Sequence, residues 1–439
     1  MFEKTIALNE FIILQRGFDL PASDRKNGNV PVVASTGIGG YHDEAKVEAP
    51  GVVIGRSGSI GGGQFITENF WPLNTTLWVK DFKGHHPRYV YYLLKSIDFK
   101  QFNVGSGVPT LNRNHLSSIL VSDIGINYET KIAEILGKID DKIELNLKIN
   151  YTLEAMAQAI FKSWFVDFDP VKAKIAAIEA GEDSDGVTRA AISAISGKTD
   201  EELDQLQAEQ PEHYIQLKNT AELFPSTMQE SELGEIPDGW EVKSLYDFAQ
   251  YINGAAFKSE DFSSNHEGLP IIKIRELKYG ITPQTEFTKK EFDQKYRINN
   301  GEILFSWSGS PDTSIDIFLW TGGNGWLNQH TFRVIPQEAE EKEFIFFLLK
   351  FFKKSFIEIA RNKQTTGLGH VTSKDLKNMF ASFPTKNVIK LFNDVGEPIV
   401  SKIFFNSTEN NNLSKIRDFL LPKLLSGELS VEAVEFAEE

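Results

Sequence analysis

The feature that most restricts how this chain can fold is an internal repeat. The stretch "YVYYLLKSIDFKQFNVGSGVPTLNRNHLSSILVSDI" (89–124) lines up with "FIFFLLKFFKKSFIEIARNKQTTGLGHVTSKDLKNMFASF" (344–383) once a few residues of loop slack are allowed. Each copy reads as an aromatic-rich helix carrying Leu-Leu-Lys (93–95 and 348–350), followed by a small-residue loop with Gly107 opposite Gly367. A second helix then starts at Asn112 or Thr372, both good N-cap types, and buries Leu116 or Leu376. Upstream, "VVIGRSGSIGGGQF" (52–65) pairs with "ILFSWSGSPDTSIDIF" (303–318), and "TTLWV" (75–79) with "HTFRV" (330–334), as short strands joined by turns. The period is far longer than that of a solenoid, so the repeating unit is a whole domain. We expect an α+β fold with one domain over 1–125 and a second over 236–384, each of short strands plus helices.

Between and after the two copies the pattern changes to helix. From Tyr128 to Trp164 there is no Pro and one Gly, Gly137, while Ile132, Leu136, Ile139, Ile143, Ile149, Leu153, Met156, Ile160 and Trp164 recur at helical spacing. A helix of that length runs on the order of 55 Å at about 1.5 Å per residue, too long to pack within one small domain. Its natural partner lies in the second half, where Pro398 suits a first turn, Ile399, Ile403, Leu413, Ile416 and Leu420 form an apolar stripe, and Pro422 is a stop. We expect long antiparallel paired helices that separate the two domains: a central spacer helix over 126–175 and a distal one over 385–427. Asn146 and Asn150 fall near the seam, where a polar residue can fix register, or on the solvated face.

Charge is unevenly spread. The net charge of −15 argues at first against nucleic acid. Yet residues 176–240 hold fifteen acids against three bases, and the tail 428–439 adds five acids, so the rest sums to about +2. We read 176–235 as an acidic linker or insertion, either partly helical or a flexible crossover, and 428–439 as an acidic tail. Two basic segments stand out: 345–390, with nine Lys/Arg against Glu358 and Asp375, and 83–116, with five against Asp98.

Common catalytic motifs are missing. Gly197-Lys198-Thr199 has Ile192 where a phosphate loop needs its first Gly, and Asp169-Pro170 is followed by Val171, not by the Pro-aromatic of an amino-methyltransferase. His85 and His86 are adjacent, so on a strand they face opposite ways, unlike a metal pair. Neither Ser57 nor Ser59 sits in G-x-S-x-G, and there is no Cys for thiolate chemistry or disulfides. No cofactor or metal site is read. No apolar run is long enough to span a membrane, and no leader is visible, so a cytoplasmic location is expected.

Two related domains held apart by helices suit a device that recognises two things at once; a two-lobed adaptor or carbohydrate-binding protein is the alternative. The chain resembles the specificity subunits of type I restriction-modification systems. The resemblance is carried by "QAIFKSWFVDFDPVKAK" (158–174), "ELGEIPDGWEVKSL" (232–245), "LSKIRDFLLPKLLSGELS" (413–430) and "ETKIAEILGKIDDKIELN" (129–146). It departs from the pattern at the start, where the Gly239-Trp240 opening of the second copy has no counterpart before "FIILQRGFDLP" (11–21), so the first domain is expected to begin abbreviated. The resemblance implies a subunit without catalysis of its own, in which each domain reads one half of a bipartite, asymmetric target in double-stranded DNA. Two methyltransferase subunits would bring S-adenosylmethionine and the adenine chemistry, and restriction (motor-nuclease) subunits would complete the complex.

Within that picture Lys95, Lys100, Arg113, Lys350, Lys353, Lys354, Arg361 and Lys363 are candidate phosphate anchors. Arg56, Ser57, Ser59 and Gln64 in the first domain are candidates for reading base edges, as are Trp307, Ser308, Ser310, Gln329, Gln364, Thr365 and His370 in the second. Ile139, Ile143, Leu153, Ile160, Phe165, Asp167, Asp169, Ile403, Ile416 and Leu420 are candidates for helix pairing and partner docking. The glycine-rich turn 56–64 is read as a strand-to-strand turn around a constant Ser-Gly-Ser (57–59 and 308–310), not as a phosphate cradle.

Overall fold

The computed structural model describes residues 4–103, 107–112, 116, 118–364 and 367–432. Arg113 and Thr365 therefore lie outside the described residues. The chain divides into two compact units, Met1–Leu145 with Asn412–Glu439 and Asn146–Asn411.

In the first unit a four-stranded antiparallel sheet runs in the order Ile13–Arg16, Thr76–Asp81, Gly51–Gly55, Gly61–Ile66. Successive side chains of a strand point to opposite faces, and both faces of the central strand are covered. Val52 and Ile54 join Leu77, Val79, Tyr89, Val90 and Leu93 in the main core, while Val53 packs with Val33, Ile66 and Phe70. This double burial is why "VVI" is an unbroken apolar run. A smaller sheet places Val30–Ala34 between Gly37–His42 and Trp71–Pro72, parallel to the latter.

The second unit repeats the plan. Its main sheet has the order Ala249–Asn253, Thr331–Pro336, Ile303–Ser306, Asp316–Leu319, and its smaller sheet sets Leu269–Ile272 parallel to Gly325–Leu327. A closing pair, Glu241–Ser244 with Phe380–Phe383, has its counterpart in Thr5–Ala7 with Leu120–Ser122. The expectation of an abbreviated first domain is thus corrected. The strand needs only backbone pairing, and Leu8 and Phe11 supply the burial that Trp240 provides in the other unit. The Leu-Leu-Lys helices are Pro87–Ser96 and Lys342–Phe351. Thr372 caps the short helix Ser373–Lys377 through a capping box with Asp375; most of the segment after Asn112 lies outside the described residues. His85 and His86 are not on a strand but in the turn before Pro87–Ser96. There the buried Glu129 carboxylate meets His85 Nδ1 at 2.7 Å and accepts the His86 backbone N–H at 2.9 Å.

Two helices of 40 and 41 residues, Ile126–Phe165 and Lys386–Ser426, are each about 60 Å long at about 1.5 Å per residue. In the second unit they run antiparallel, with Asn146 beside Asn410 and Asn150 beside Asn406; in the first, Asp140 meets Arg417. Two expectations are corrected here, and one left open between two readings is decided. The central helix does not reach 175: it ends at Phe165, and Phe168 adopts a left-handed φ of 57° before a new helix, Asp169–Glu179, opens with Pro170 in its first turn. The distal helix runs Lys386–Ser426, so the two prolines do not play the parts given to them: Pro398 lies twelve residues past its start, not in its first turn, and Pro422 does not stop it. Each proline forfeits one helical hydrogen bond, and the burial of Val388, Ile389, Phe392, Val400, Leu421 and Leu424 outweighs that loss. Residues 176–235 are not a flexible crossover. Helices Ser184–Ser196, Asp200–Glu209 and Pro211–Glu222 close a small core of Ala191, Ile192, Leu203, Leu206 and Ala221, and a hairpin, Met228–Ser231 with Gly234–Pro237, follows. The acidic tail also starts docked, because Leu429 and Val431 pack into the core of the first unit. Among the described residues no helix is long and apolar enough to cross a membrane, and no group of His, Asp and Glu is arranged to hold a metal ion.

Candidate nucleic-acid interface

The Ser-Gly-Ser turns sit in one backbone frame built twice. In the first unit the Arg56 N–H donates to the Thr75 carbonyl at 2.8 Å, the Leu111 N–H donates to the Arg56 carbonyl at 2.8 Å, and Ser57 is bridged to Thr110. In the second the Trp307 N–H donates to His330 O at 3.4 Å, the Val371 N–H donates to Trp307 O at 2.8 Å, and Ser308 pairs with His370. Beside each frame a glycine crosses tightly under the strand turn: a Cβ on Gly17 would lie 2.2 Å from Leu73 O, and one on Gly254 would lie 2.2 Å from Asn328 O. Their N–H groups donate to Thr76 O and Thr331 O, each at 3.1 Å. The frame therefore makes equivalent positions of Arg16 and Asn253, Arg56 and Trp307, Asn74 and Gln329, Thr75 and His330, and Thr110 and His370. Its backbone bonds recur while its side chains do not.

The side chains of the second frame form a small polar-aromatic cluster. Trp307 stacks on Phe332 at 5.5 Å and 29°, donates its indole N–H to Asn253 Oδ1 at 3.0 Å, and has the rings of His330 and His370 each 5.9 Å away. His370 Nδ1 lies 2.9 Å from Ser308 Oγ. Partial burial, and then His370, push the His330 imidazole below its ordinary value, which favours its neutral form. A neutral imidazole offers one donor and one acceptor. Gln329 and Ser310 are exposed. In the first frame Arg16 is exposed, Arg56 is half-buried with Nη1 3.4 Å from Asn74 O, and among the described residues neither guanidinium has a carboxylate partner. Arg16, Asn253 and His330 were missed by the sequence reading. The repeated glycine at 17 and 254, and His330 at the head of "HTFRV", were the available signals.

Several candidates are committed elsewhere. Gln64 gives its amide to the Ala34 carbonyl at 2.9 Å and joins the two sheets of its unit. Lys350 is withdrawn as a phosphate anchor: its ammonium is buried 3.0 Å from Glu154 and 3.4 Å from Asp316. Burial alone would lower its pKa, but Asp316 and Glu154 outweigh that and hold it above the usual lysine range. Lys353 also pairs with Asp316 at 2.6 Å, Arg361 with Asp312 and Lys363 with Asp375, and Gln364 folds back on Gly367 O at 2.8 Å. Lys95 lies along Tyr91, 3.1 Å from its hydroxyl. Lys100 and Lys354 are exposed and, among the described residues, have no ion pair; Ser57 is half-buried and Ser59 exposed.

The glycines of the opening turn shape it. A Cβ on Gly55 would lie 1.9 Å from Ser59 O and one on Gly61 2.9 Å from Phe99 Cβ, while Gly58, Gly61 and Gly62 take positive φ. No phosphate is needed to explain them.

Along the long helices Ile139, Ile143, Leu153, Ile160 and Ile403 are half-buried, as are Leu420, Asp167 and Asp169; Phe165 is buried and Ile416 is 48% exposed. Phe165 belongs to an aromatic cluster with Phe161, Phe344, Phe392 and Trp240. Asn146, 1% exposed, donates to Glu409 at 2.6 Å and to Asn410 at 2.9 Å, and Asn150 donates to Ser407 at 3.1 Å, which places both asparagines at the seam.

The same organisation appears in known proteins. A family model described as the type I restriction modification DNA specificity domain matches twice, at residues 4–155 and 237–390. The chain is 33% identical over 329 residues to the type I restriction enzyme HindI specificity subunit of Haemophilus influenzae, spanning 73% of this chain and 71% of that one. It is 27% identical over 358 residues to the MjaIX specificity subunit of Methanocaldococcus jannaschii, spanning 78% and 69%. The fold is similar to that of a crystal structure of a type I restriction-modification S subunit from M. genitalium, with a TM-score of 0.50 at 15% identity over 96% of this chain and 95% of that one.

Proposed function

Since the chain belongs to the family of type I restriction-modification specificity subunits, we propose that its two domains, 1–125 and 236–384, each read one half of a bipartite, asymmetric DNA target. DNA recognition is the family's role, and catalysis lies with its partners. The paired helices set the number of unread base pairs between the halves: about 60 Å of helix corresponds to a little under two turns of B-DNA at ~34 Å per turn. The observation that carries the reading is the backbone frame built twice in one chain with different side chains, which is what two different half-sites require.

In the assembled complex the chain binds two methyltransferase subunits and, in a restriction-competent form, motor-nuclease subunits, in the cytoplasm. Apolar residues left exposed on the long helices fit the methyltransferase contact: Leu145, Leu147, Tyr151 and Met156 on one, Phe405, Ile416 and Phe419 on the other. Lys100 and Lys354 are the cations best placed to hold phosphates without giving up an ion pair. Co-expression with the methyltransferase of its own operon tests the reading. The expected result is a stable complex and adenine methylation confined to one split sequence; a complex that methylates without sequence preference, or no complex, refutes it.

A further inference from the structure

The repeated frame assigns a specific chemistry to each half of the target, an inference that rests on the reading above and deepens it. We infer that the five equivalent positions of the frame are the specificity-determining positions of the two domains: Arg16, Arg56, Asn74, Thr75 and Thr110 in one, and Asn253, Trp307, Gln329, His330 and His370 in the other.

Three observations carry this. First, the frame joins three segments distant in sequence by main-chain bonds, Arg56 to Thr75 and Leu111, and Trp307 to His330 and Val371. These bonds recur in both units while the side chains differ, so the scaffold tolerates different side chains at the same positions. Second, polar capacity is left over at these positions. Among the described residues Arg16 and Arg56 have no carboxylate partner, the Gln329 side chain hydrogen-bonds only to its neighbour His330, at 3.4 Å, and His370 uses one ring nitrogen, on Ser308. Four of the basic residues outside the frame behave differently, since Lys350, Lys353, Arg361 and Lys363 are spent on carboxylates. Third, the two sets differ in chemical kind. The first presents two guanidiniums, each a planar fork that matches the N7 and O6 acceptors of guanine. The second presents the Asn253 and Gln329 amides, with two imidazoles, around an indole, and an amide both donates and accepts, as the N7 and N6 edge of adenine requires. The domain holding Arg16 and Arg56 thus reads a half-site containing guanine, and the domain holding Gln329 and His370 reads one containing adenine.

The test is selection of bound sequences from random duplexes by the complex with its methyltransferase, for the wild type, Arg56→Gln, Gln329→Ala and His370→Thr. Thr is the residue that the equivalent position carries, so H370T keeps the strand pair, and each variant is first matched to the wild type in thermal melting. The wild type is expected to select a split sequence with guanine in one half and adenine in the other; if it selects no split sequence, the functional reading itself fails. Given a split sequence, Arg56→Gln should cost at least tenfold in preference for a guanine in one half and leave the other half unchanged. Gln329→Ala and His370→Thr should do the same in the opposite half, for adenine and its neighbours. Unchanged preference in both halves, loss in both halves together, or a half read through Arg56 that lacks guanine overturns the inference.

Discussion

At the scale of single residues, what decides each role is the partner that tertiary folding supplies. Lys95 and Lys350 occupy the same place in the Leu-Leu-Lys repeat, and nothing in either sequence separates them. One lies along Tyr91 while the other is enclosed by Glu154 and Asp316, which come from 196 and 34 residues before it. Glu343 shows the converse case, a carboxyl with little compensation. It lies 9% exposed against Gly396 of the distal helix, and burial, aided by Glu397, raises its pKa above the usual carboxylate range. A carboxyl with a raised pKa favours the folded state only while protonated, so its penalty is absent below about pH 4.5 and grows as pH rises through the shifted value. Glu343→Gln is therefore expected to raise the melting temperature at pH 7, with the gain shrinking as the pH is lowered toward 4.5. A gain that is the same at both pH values would contradict this.

At the scale of elements, the helices and strands were largely legible, and the break between Phe165 and the next helix at Asp169 was not. Periodicity marks a helix over 128–164, and the observed one runs 126–165, because a stripe of apolar residues at helical spacing has no other compact use. The two prolines misled because they report a local loss of one hydrogen bond each, whereas the packing of forty-one residues is a sum over the whole helix. Register is another matter. The Asn146 bonds to Glu409 and Asn410, and the Asn150 bonds to Ser407 and Asn406, satisfy polar groups at one alignment of the helices. Asn146→Leu removes two of these bonds and should lower the stability to urea by about 1–3 kcal/mol, read as a lower midpoint at an unchanged slope. A midpoint equal to that of the wild type would show that the apolar stripe alone sets the alignment.

At the scale of the whole molecule, the repeat makes a modular prediction. Exchanging residues 238–384, a cut that leaves the hairpin Met228–Pro237 whole, for the corresponding segment of the Haemophilus influenzae relative should change one half of the methylated sequence, with the other half and the spacing between them retained. Methylation mapping reads all three at once, and a change in both halves would refute modularity. The sequence by itself determined that there are two domains of one kind, that long amphipathic helices join the pattern, and that acidity is concentrated in one segment, because repeats, periodicity and composition are properties of the chain in order. Only the tertiary structure decided that the acidic segment folds on its own small core, which lysines are free, and that Arg16, Arg56 and Thr110 share a frame equivalent to that of Asn253, Trp307 and His370. Those outcomes depend on backbone pairing and charge pairing between residues far apart in the chain, and a one-dimensional pattern carries no distance.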